Sequence, residues 1–384
     1  MTEVYKFKKL SLLESKKPHE KIVVSIFNAV GYGLSNLSLI KNWNKKGIPQ
    51  SRKAFRVQSY SYQENGETIY RRLEAKDGLL SSFYDVSSCF EIFTKSVSEY
   101  KDSPCMGERK ILNVLHSSNS PNNIKYELSD FIWYTYGQIF YEICSISRGL
   151  KSVGIGSGQK ILFFADTCKE WMVLAFSSMK IGAILVTAYS SLIDECIEYI
   201  MQLTKPVAVF VDSKTIKRIL PILPKVPEIK TVIFNNTALD DHQKFEAIRY
   251  EQLKRSAETE NTTDIKDDEF VSSPDDTLII MFTSGSTGVP KEIAVFSFGG
   301  RVGYCRPLTL LSISPGLSQH CKGDLELLKP STVFTVPLVL ERIKSGILDK
   351  IKSQKRMVVL IFEAAYNMRA HYYSKGYDTP ILNK

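Results

Sequence analysis

Thr283, Ser284, Ser286 and Thr287 place hydroxyl groups beside Gly285 and Gly288, and Lys291 closes the run just after Pro290. Hydroxyls donate hydrogen bonds to phosphate oxygens. The two glycines let successive backbone N–H groups turn into one concavity, which is how a chain builds an anion nest. Pro290 stiffens the exit, and Lys291 adds a mobile positive charge. The chemistry this order suits is the cradling of a polyphosphate. The alternative is a plain polar turn following a strand. A Walker loop is excluded, because no Gly-x-x-x-x-Gly-Lys-Ser/Thr pattern is present.

The elements that must position this loop are legible around it. Leu278–Phe282 has the length and bulk of a buried strand, ending where the loop begins. Upstream, Thr135 and Gln138 form a capping box for a helix with Ile139, Ile143, Ile146 and Leu150 on one face. Lys160–Ala165 reads as a strand, Glu170–Met179 as a helix and Ala183–Ala188 as a strand. Asp194 reads as the cap of a helix to Leu203, Val207–Val211 as a strand, Ser213 as the start of a helix, and Thr231–Phe234 as a strand. Strands alternating with helices imply right-handed crossovers and a largely parallel sheet. Gly154, Gly156 and Gly158 follow a helix and precede a strand, the reverse of the dinucleotide-binding order, so they read as a helix stop and a turn.

Other stretches are simpler. Val86–Tyr100 has helical spacing, residues 107–130 read as a polar connection, and 235–276 as an exposed one. After Lys291, Leu328–Pro337 reads as a strand. Leu338–Lys352 reads as an amphipathic helix with Leu340, Ile343, Ile347 and Ile351 on its apolar face, and Met357–Tyr373 as a further helix.

At 384 residues the chain can bury a sizeable core, and 43% hydrophobic with 24% charged residues is a globular composition. Its net charge of +9 is concentrated in Met1–Arg56, where twelve Lys and Arg face three Glu. The remainder balances, so nucleic acid is not an expected partner. The seven cysteines contain no Cys-x-x-Cys pair. Reduced thiols are expected, and no metal held by side chains alone. Ile22–Ile40 is uncharged and long enough to span a bilayer, but it is diluted by Ser, Asn and Gly. The chain is therefore expected to divide into a basic arm, 1–51, with a possible membrane segment at 22–40, and a body, 52–384.

The loop closely resembles the signature loop of the AMP-forming acyl and aryl adenylating enzymes. Further stretches are similar to long-chain fatty-acid–CoA ligases: Phe93–Ser98, Tyr100–Gly107, Trp133–Tyr136, Arg148–Leu150, Glu170–Met172, Val186–Tyr189, Gly300–Tyr304, Lys322–Asp324, Leu328–Pro330 and Val336–Pro337. The resemblance implies an α/β fold, the large N-terminal domain of the acyl-adenylating enzymes. Such a domain has mostly parallel sheets flanked by helices.

The resemblance also implies that a fatty carboxylate attacks ATP to give acyl-AMP and pyrophosphate, after which CoA displaces AMP. Thr283, Ser284, Gly285, Ser286, Thr287, Gly288 and Lys291 would bind the ATP phosphates, with Mg²⁺ as the metal and CoA as co-substrate. It further implies work at a membrane surface, on the cytosolic face of an intracellular membrane. The endoplasmic reticulum comes first, with the mitochondrial outer membrane, peroxisome or lipid droplet as alternatives.

The sequence departs from the family at Glu292, where the family has glycine. It passes almost directly from Phe298 to Gly299, where an internal stretch is expected. Tyr-Gly-x-Thr-Glu, Thr-Gly-Asp and the small C-terminal domain with its catalytic lysine are not found, so no catalytic residue is assigned. A family member that is internally deleted and C-terminally shortened is the expectation, with a non-catalytic form as the alternative. Poor solubility in isolation is expected, because a lost crossover leaves a strand or an apolar face uncovered.

Overall fold

The computed structural model describes residues 11, 17, 20–21, 24–25, 59–72, 86, 88–117, 120–235, 246–256, 270–273, 276–282, 295–335 and 337–374. The chain forms two compact units, 81–334 and 1–80 with 335–384.

The larger unit is built on a six-stranded sheet. Its strands are β5 (Lys160–Phe164), β6 (Ile184–Thr187), β7 (Ala208–Val211), β8 (Thr231–Phe234), β9 (Glu246–Arg249) and β10 (Ile279–Met281). Their order is β10-β6-β5-β7-β8-β9, and every pairing is parallel. The alternating pattern therefore gives the expected parallel α/β sheet. Ile161–Phe164, Val209–Val211, Val232 and Ile233 are almost entirely sealed from solvent, as near-continuous apolar runs require when helices cover both faces.

Two helices build the face nearest β5. Helix α2 (Tyr136–Ser152) begins with both bonds of the Thr135–Gln138 capping box and buries Ile139, Ile143, Ile146 and Leu150 completely. Helix α3 (Lys169–Lys180) packs beside it, with Ser177 Oγ donating to the Ile143 carbonyl at 3.1 Å. Helix α1 (Cys89–Tyr100) joins them through Phe93, whose ring stacks on Phe176 at 4.4 Å. On the opposite face lie α4 (Asp194–Thr204) and the short α5 (Ile216–Ile219). The turn after α2 is a glycine turn: Gly154 and Gly158 have φ of 78° and 75°, as their reading as a helix stop implies.

Several sequence expectations are corrected. Residues 107–130 are no loose connection. They belong to a long antiparallel hairpin, β3 (Pro104–Ser117) and β4 (Ser120–Thr135), joined at its base by β11 (Val302–Gly303). The ribbon's outer part exposes Ile111, Leu112, Val114 and Leu115, so no buried face imposed the alternation that marks a strand.

Residues 235–276 contain β9 and helix α6 (Tyr250–Ser256), whose Tyr250 and Leu253 are buried. A Cβ on Gly149 of α2 would lie 2.1 Å from the Leu253 carbonyl, so α6 sits directly on α2 only because that position is glycine. Among the described residues of 328–337 there is no strand. Helix α7 (Asp324–Leu328) ends there and Val333 and Phe334 are exposed, since a β-branched run has no ladder partner at this place. Asp194 does not cap α4; Ile193 holds the cap position, and Asp194 pairs with Arg218 instead. Ser213 starts no helix, because the Asp212 carboxylate accepts the Lys214 and Thr215 N–H groups and α5 begins beyond them.

The smaller unit contains the hairpin β1 (Ser59–Glu64) and β2 (Glu67–Arg72), and helices α8 (Pro337–Lys352) and α9 (Arg356–Ser374). Arg356 at the start of α9 pairs with the buried carboxylate of Glu20. Among the described residues no helix is long and apolar enough to cross a membrane; 26–40, most of the uncharged stretch, lies outside them. All seven cysteines are free; Cys105 is buried and Cys196 exposed.

Candidate functional site at the carboxyl edge of the parallel sheet

Thr283, Ser284, Gly285, Ser286, Thr287, Gly288 and Lys291 lie outside the described residues. What the structure places are the two ends of their loop. Met281, the last residue of β10, is in register with Thr187 of β6, and Thr187 with Phe163 of β5. The chain therefore leaves β10 at the carboxyl edge of a wholly parallel sheet, with Phe282 packed against the apolar cluster below it. It re-enters the described structure at Val295–Phe296. Phe296 is 1% exposed and meets Phe93 edge-on at 5.8 Å. The Tyr136 hydroxyl donates to the Gly300 carbonyl at 2.6 Å and lies 3.2 Å from that of Phe296. The chain thus leaves the described structure at the sheet and returns to it on the helices α1 and α2 that cover the sheet.

The strand order makes this edge chemically significant. β5 is followed in the chain by β6 on one side and then β7 on the other, so successive crossovers depart in opposite directions. The crevice beyond the β5 and β7 carboxyl ends is where doubly wound sheets bind ligands. Polar side chains converge there. The Asp166 carboxylate, just past β5, accepts a hydrogen bond from Ser190 Oγ at 2.5 Å, just past β6, and another from Lys214 Nζ, beyond β7. The Asp166 N–H donates to Asp212 Oδ2 at 2.8 Å. Arg218 stands behind them, over the Phe164 ring at 5.2 Å, and donates to the Ser190 carbonyl at 2.6 Å. Burial opposes ionisation of Asp166. The bonds from Lys214 and Ser190 and the charges of Lys214 and Arg306 outweigh it, so the carboxyl is held below its ordinary range.

A second charged group lies inside the same unit. Lys169 donates to Glu142 Oε1 at 2.7 Å and lies 3.4 Å from Glu170 and 4.8 Å from the centre of the Tyr134 ring. Tyr250 donates to the same Glu142 oxygen at 2.9 Å, and Lys254 approaches its other oxygen at 3.6 Å. Burial disfavours the Glu142 anion, but Lys169 reverses the balance and holds its pKa down. Glu108 is shifted the other way: burial and the nearby Glu170 raise it, against the pull of Lys169. An open cleft of about 590 Å³, lined by Lys101, Tyr134, Gln138, Tyr141, Glu142 and Lys254 among others, reaches this network.

The sequence reading missed both groups. Asp166 and Asp212 had a signal, an acid one or two residues beyond an apolar strand run. Lys169, Glu142 and Glu108 had none, since they are far apart in the chain. Among the described residues no group of three or more His, Cys, Asp or Glu side chains is arranged to hold a metal ion.

Residues 116–296 match the AMP-binding enzyme family, a span that runs through the sheet and includes the loop. Among curated relatives, long chain acyl-CoA synthetase 8 of Arabidopsis thaliana is 24% identical over 383 residues, covering 87% of this chain and 52% of the relative. Long-chain-fatty-acid–CoA ligase 1 of Schizosaccharomyces pombe is 23% identical, covering 84% of this chain and 57% of the relative. The chain thus spans about half the length of the curated relatives it matches.

Among solved structures, the adenylation domain of a carboxylate reductase from Mycobacterium chelonae superposes with a TM-score of 0.56 at 12% identity, covering 96% of this chain and 60% of that one. The A domain of a carboxylic acid reductase from Segniliparus rugosus, in complex with AMP and a co-purified carboxylic acid, gives 0.55 at 12%, covering 71% and 53%. At such identity the superpositions speak for the fold alone, and they agree with the parallel sheet and its flanking helices. Family match, relatives and fold converge: residues 116–296 match the AMP-binding enzyme family, and the chain is similar to relatives named long-chain acyl-CoA synthetases, with the fold of an adenylation domain.

Proposed function

We propose that this chain takes part in ATP-dependent activation of a long-chain fatty acid. The observation that supports the reading is that β10, the strand just before Thr283–Lys291 in the chain, ends at the carboxyl edge of the parallel sheet. Hydroxyls, backbone amides and a lysine following such a strand end suit an ATP polyphosphate, and the residues that would hold it are Thr283, Ser284, Gly285, Ser286, Thr287, Gly288 and Lys291.

In the first step a fatty carboxylate oxygen bonds to the α-phosphorus of ATP and the α–β phosphoanhydride breaks, releasing pyrophosphate. In the second, the CoA thiol, losing its proton, forms a thioester and displaces AMP. The contribution of this chain's residues is to neutralise phosphate charge while an anionic carboxylate approaches. Mg²⁺ would supply further neutralisation when bound; among the described residues no group of three or more His, Cys, Asp or Glu side chains is arranged to hold it. The basic arm, Met1–Arg56, favours the anionic cytosolic face of an intracellular membrane, the endoplasmic reticulum first among them.

A second reading, nucleotide binding without turnover, is favoured by Glu292, a carboxylate next to Lys291 that opposes a bound triphosphate. One assay separates the two. With ATP, Mg²⁺ and a long-chain acid, the first reading expects pyrophosphate release that Lys291→Ala lowers about 100-fold, the loss typical of a single preorganised charge-stabilising contact. Binding of ATP by a folded preparation with no pyrophosphate release leaves the second reading.

A further inference from the structure

A cavity of about 330 Å³ opens in the larger unit, at the edge of the parallel sheet opposite the Asp166 group. Its lining residues 157–158, 182–184 and 276–278 stand just before β5, β6 and β10, so it lies at the amino edge. Two glycine turns meet there, with the Gly158 N–H donating to the Gly182 carbonyl at 2.9 Å. Gly182 has a φ of 72°, and a Cβ on it would lie 2.7 Å from the Phe270 ring. The ring settles on this turn, and so walls the cavity, only because the residue is glycine.

The walls are mostly apolar: Phe90, Phe270, Met179, Ile184 and Leu278. The Met179 thioether is of a kind that packs well against ring edges. Ser272, Thr277 and Asp276 add hydroxyls and one carboxylate, and Thr277 and Asp276 are exposed at the mouth. Lys180 Nζ stands 5.7 Å from the centre of the Phe90 ring, so charge of each sign flanks the space and neither prevails. Apolar walls hold water poorly. The volume falls near the lower end of small-molecule sites, about 300–1,000 Å³. It suits one or two rings, and neither a long acyl chain nor a triphosphate.

We propose that this cavity binds a compact, uncharged aromatic molecule bearing a hydrogen-bond donor. The ring lies among Phe90, Phe270 and Met179, and the donor reaches the Asp276 carboxylate or a hydroxyl oxygen at the mouth. An occupant touching Leu278 bears on β10, an edge strand of three residues that pairs with β6 alone among the described residues. The Leu185 N–H donates to the Leu278 carbonyl at 3.1 Å, so the occupant also steadies that pairing. Binding at the amino edge does not depend on turnover at the carboxyl edge.

Indole, uncharged and with one N–H, is the probe, and Cys89 reports on it. Cys89 lines the cavity and is half-buried, whereas Cys196 is exposed and lines no part of it. Alkylation of the folded full chain by iodoacetamide is followed at both residues by peptide mass spectrometry. At ten times its dissociation constant, indole should slow Cys89 about tenfold, because only the empty fraction reacts, and leave Cys196 unchanged. Indole-3-acetate, the same ring with a carboxylate, should give no protection. Thr277→Trp, which fills the mouth at an exposed position, should abolish the protection at unchanged melting temperature. Hydrogen exchange at Leu185 and Ile279–Met281 should slow with indole in the parent chain and not in the variant.

No slowing at Cys89, equal slowing at Cys196, or full protection in Thr277→Trp would overturn the inference. So would equal protection by indole-3-acetate, or unchanged exchange at Leu185 and β10 with indole present. Where Cys89 labels too slowly to follow, the exchange measurement decides alone. Pyrophosphate release, measured without indole, reports on the proposed reaction independently of any of these outcomes.

Discussion

Two lysine–carboxylate groups in the larger unit have the same chemistry and opposite surroundings. The Lys169 side chain is 5% exposed, with Glu142 at 7% and Glu170 at 12%, and contacts arrive from α2, α3, β4 and α6. The Lys214 side chain is 72% exposed and its partner Asp166 45%. Sealed charges hold elements together, because each is costly to leave alone in a low-dielectric interior. Open charges at a sheet's carboxyl edge contribute little to stability and remain free to exchange partners. Position in the fold, not residue type, separates a structural knot from a candidate ligand-facing edge.

The comparison can be broken experimentally. The largest effect is expected from Lys169→Met, which strands Glu142 and Glu170 inside the unit. Loss of about 3–5 kcal/mol in urea unfolding is expected, and pairing it with Glu142→Leu should recover part of that. A loss under about 1 kcal/mol would show that water reaches the knot. Lys214→Ala is expected to cost at most about 1 kcal/mol, because its partner is half in solvent.

The smallest effect concerns pH. The raised Glu108 pKa means that folding favours the protonated acid. Its contribution is present at acid pH and is lost as pH rises through the folded-state pKa. Glu108→Gln should therefore raise the melting temperature at neutral pH and leave it nearly unchanged below the ordinary glutamate value of 4.5. Asp166→Asn should behave oppositely, lowering the melting temperature at neutral pH, with the difference closing as pH falls through the lowered aspartate pKa.

The helix registers were legible because their periods were complete. Ile139, Ile143, Ile146 and Leu150 repeat over four turns, and Thr135 with Gln138 marks the start without reference to any distant residue. β5, β7 and β8 were legible as apolar runs. The hairpin β3–β4 was not, since its outer part faces water on both sides and carries no alternation. β9 and α6 were hidden by their shortness: a four-residue edge strand and a seven-residue helix cannot display a period.

The sequence by itself determined the alternating α/β pattern, the charge of the arm and the Thr283–Lys291 loop, because hydroxyl donors, glycine torsions and hydrophobic period are local properties. Tertiary structure alone decided the strand order, and with it the meeting of Asp166, Ser190 and Lys214 across three strand ends. It also decided the sealing of Lys169 among Glu142, Glu170 and Tyr134. Those meetings depend on which strand lies beside which. That choice is set by packing both sheet faces against helices, a global condition that no short window of residues contains.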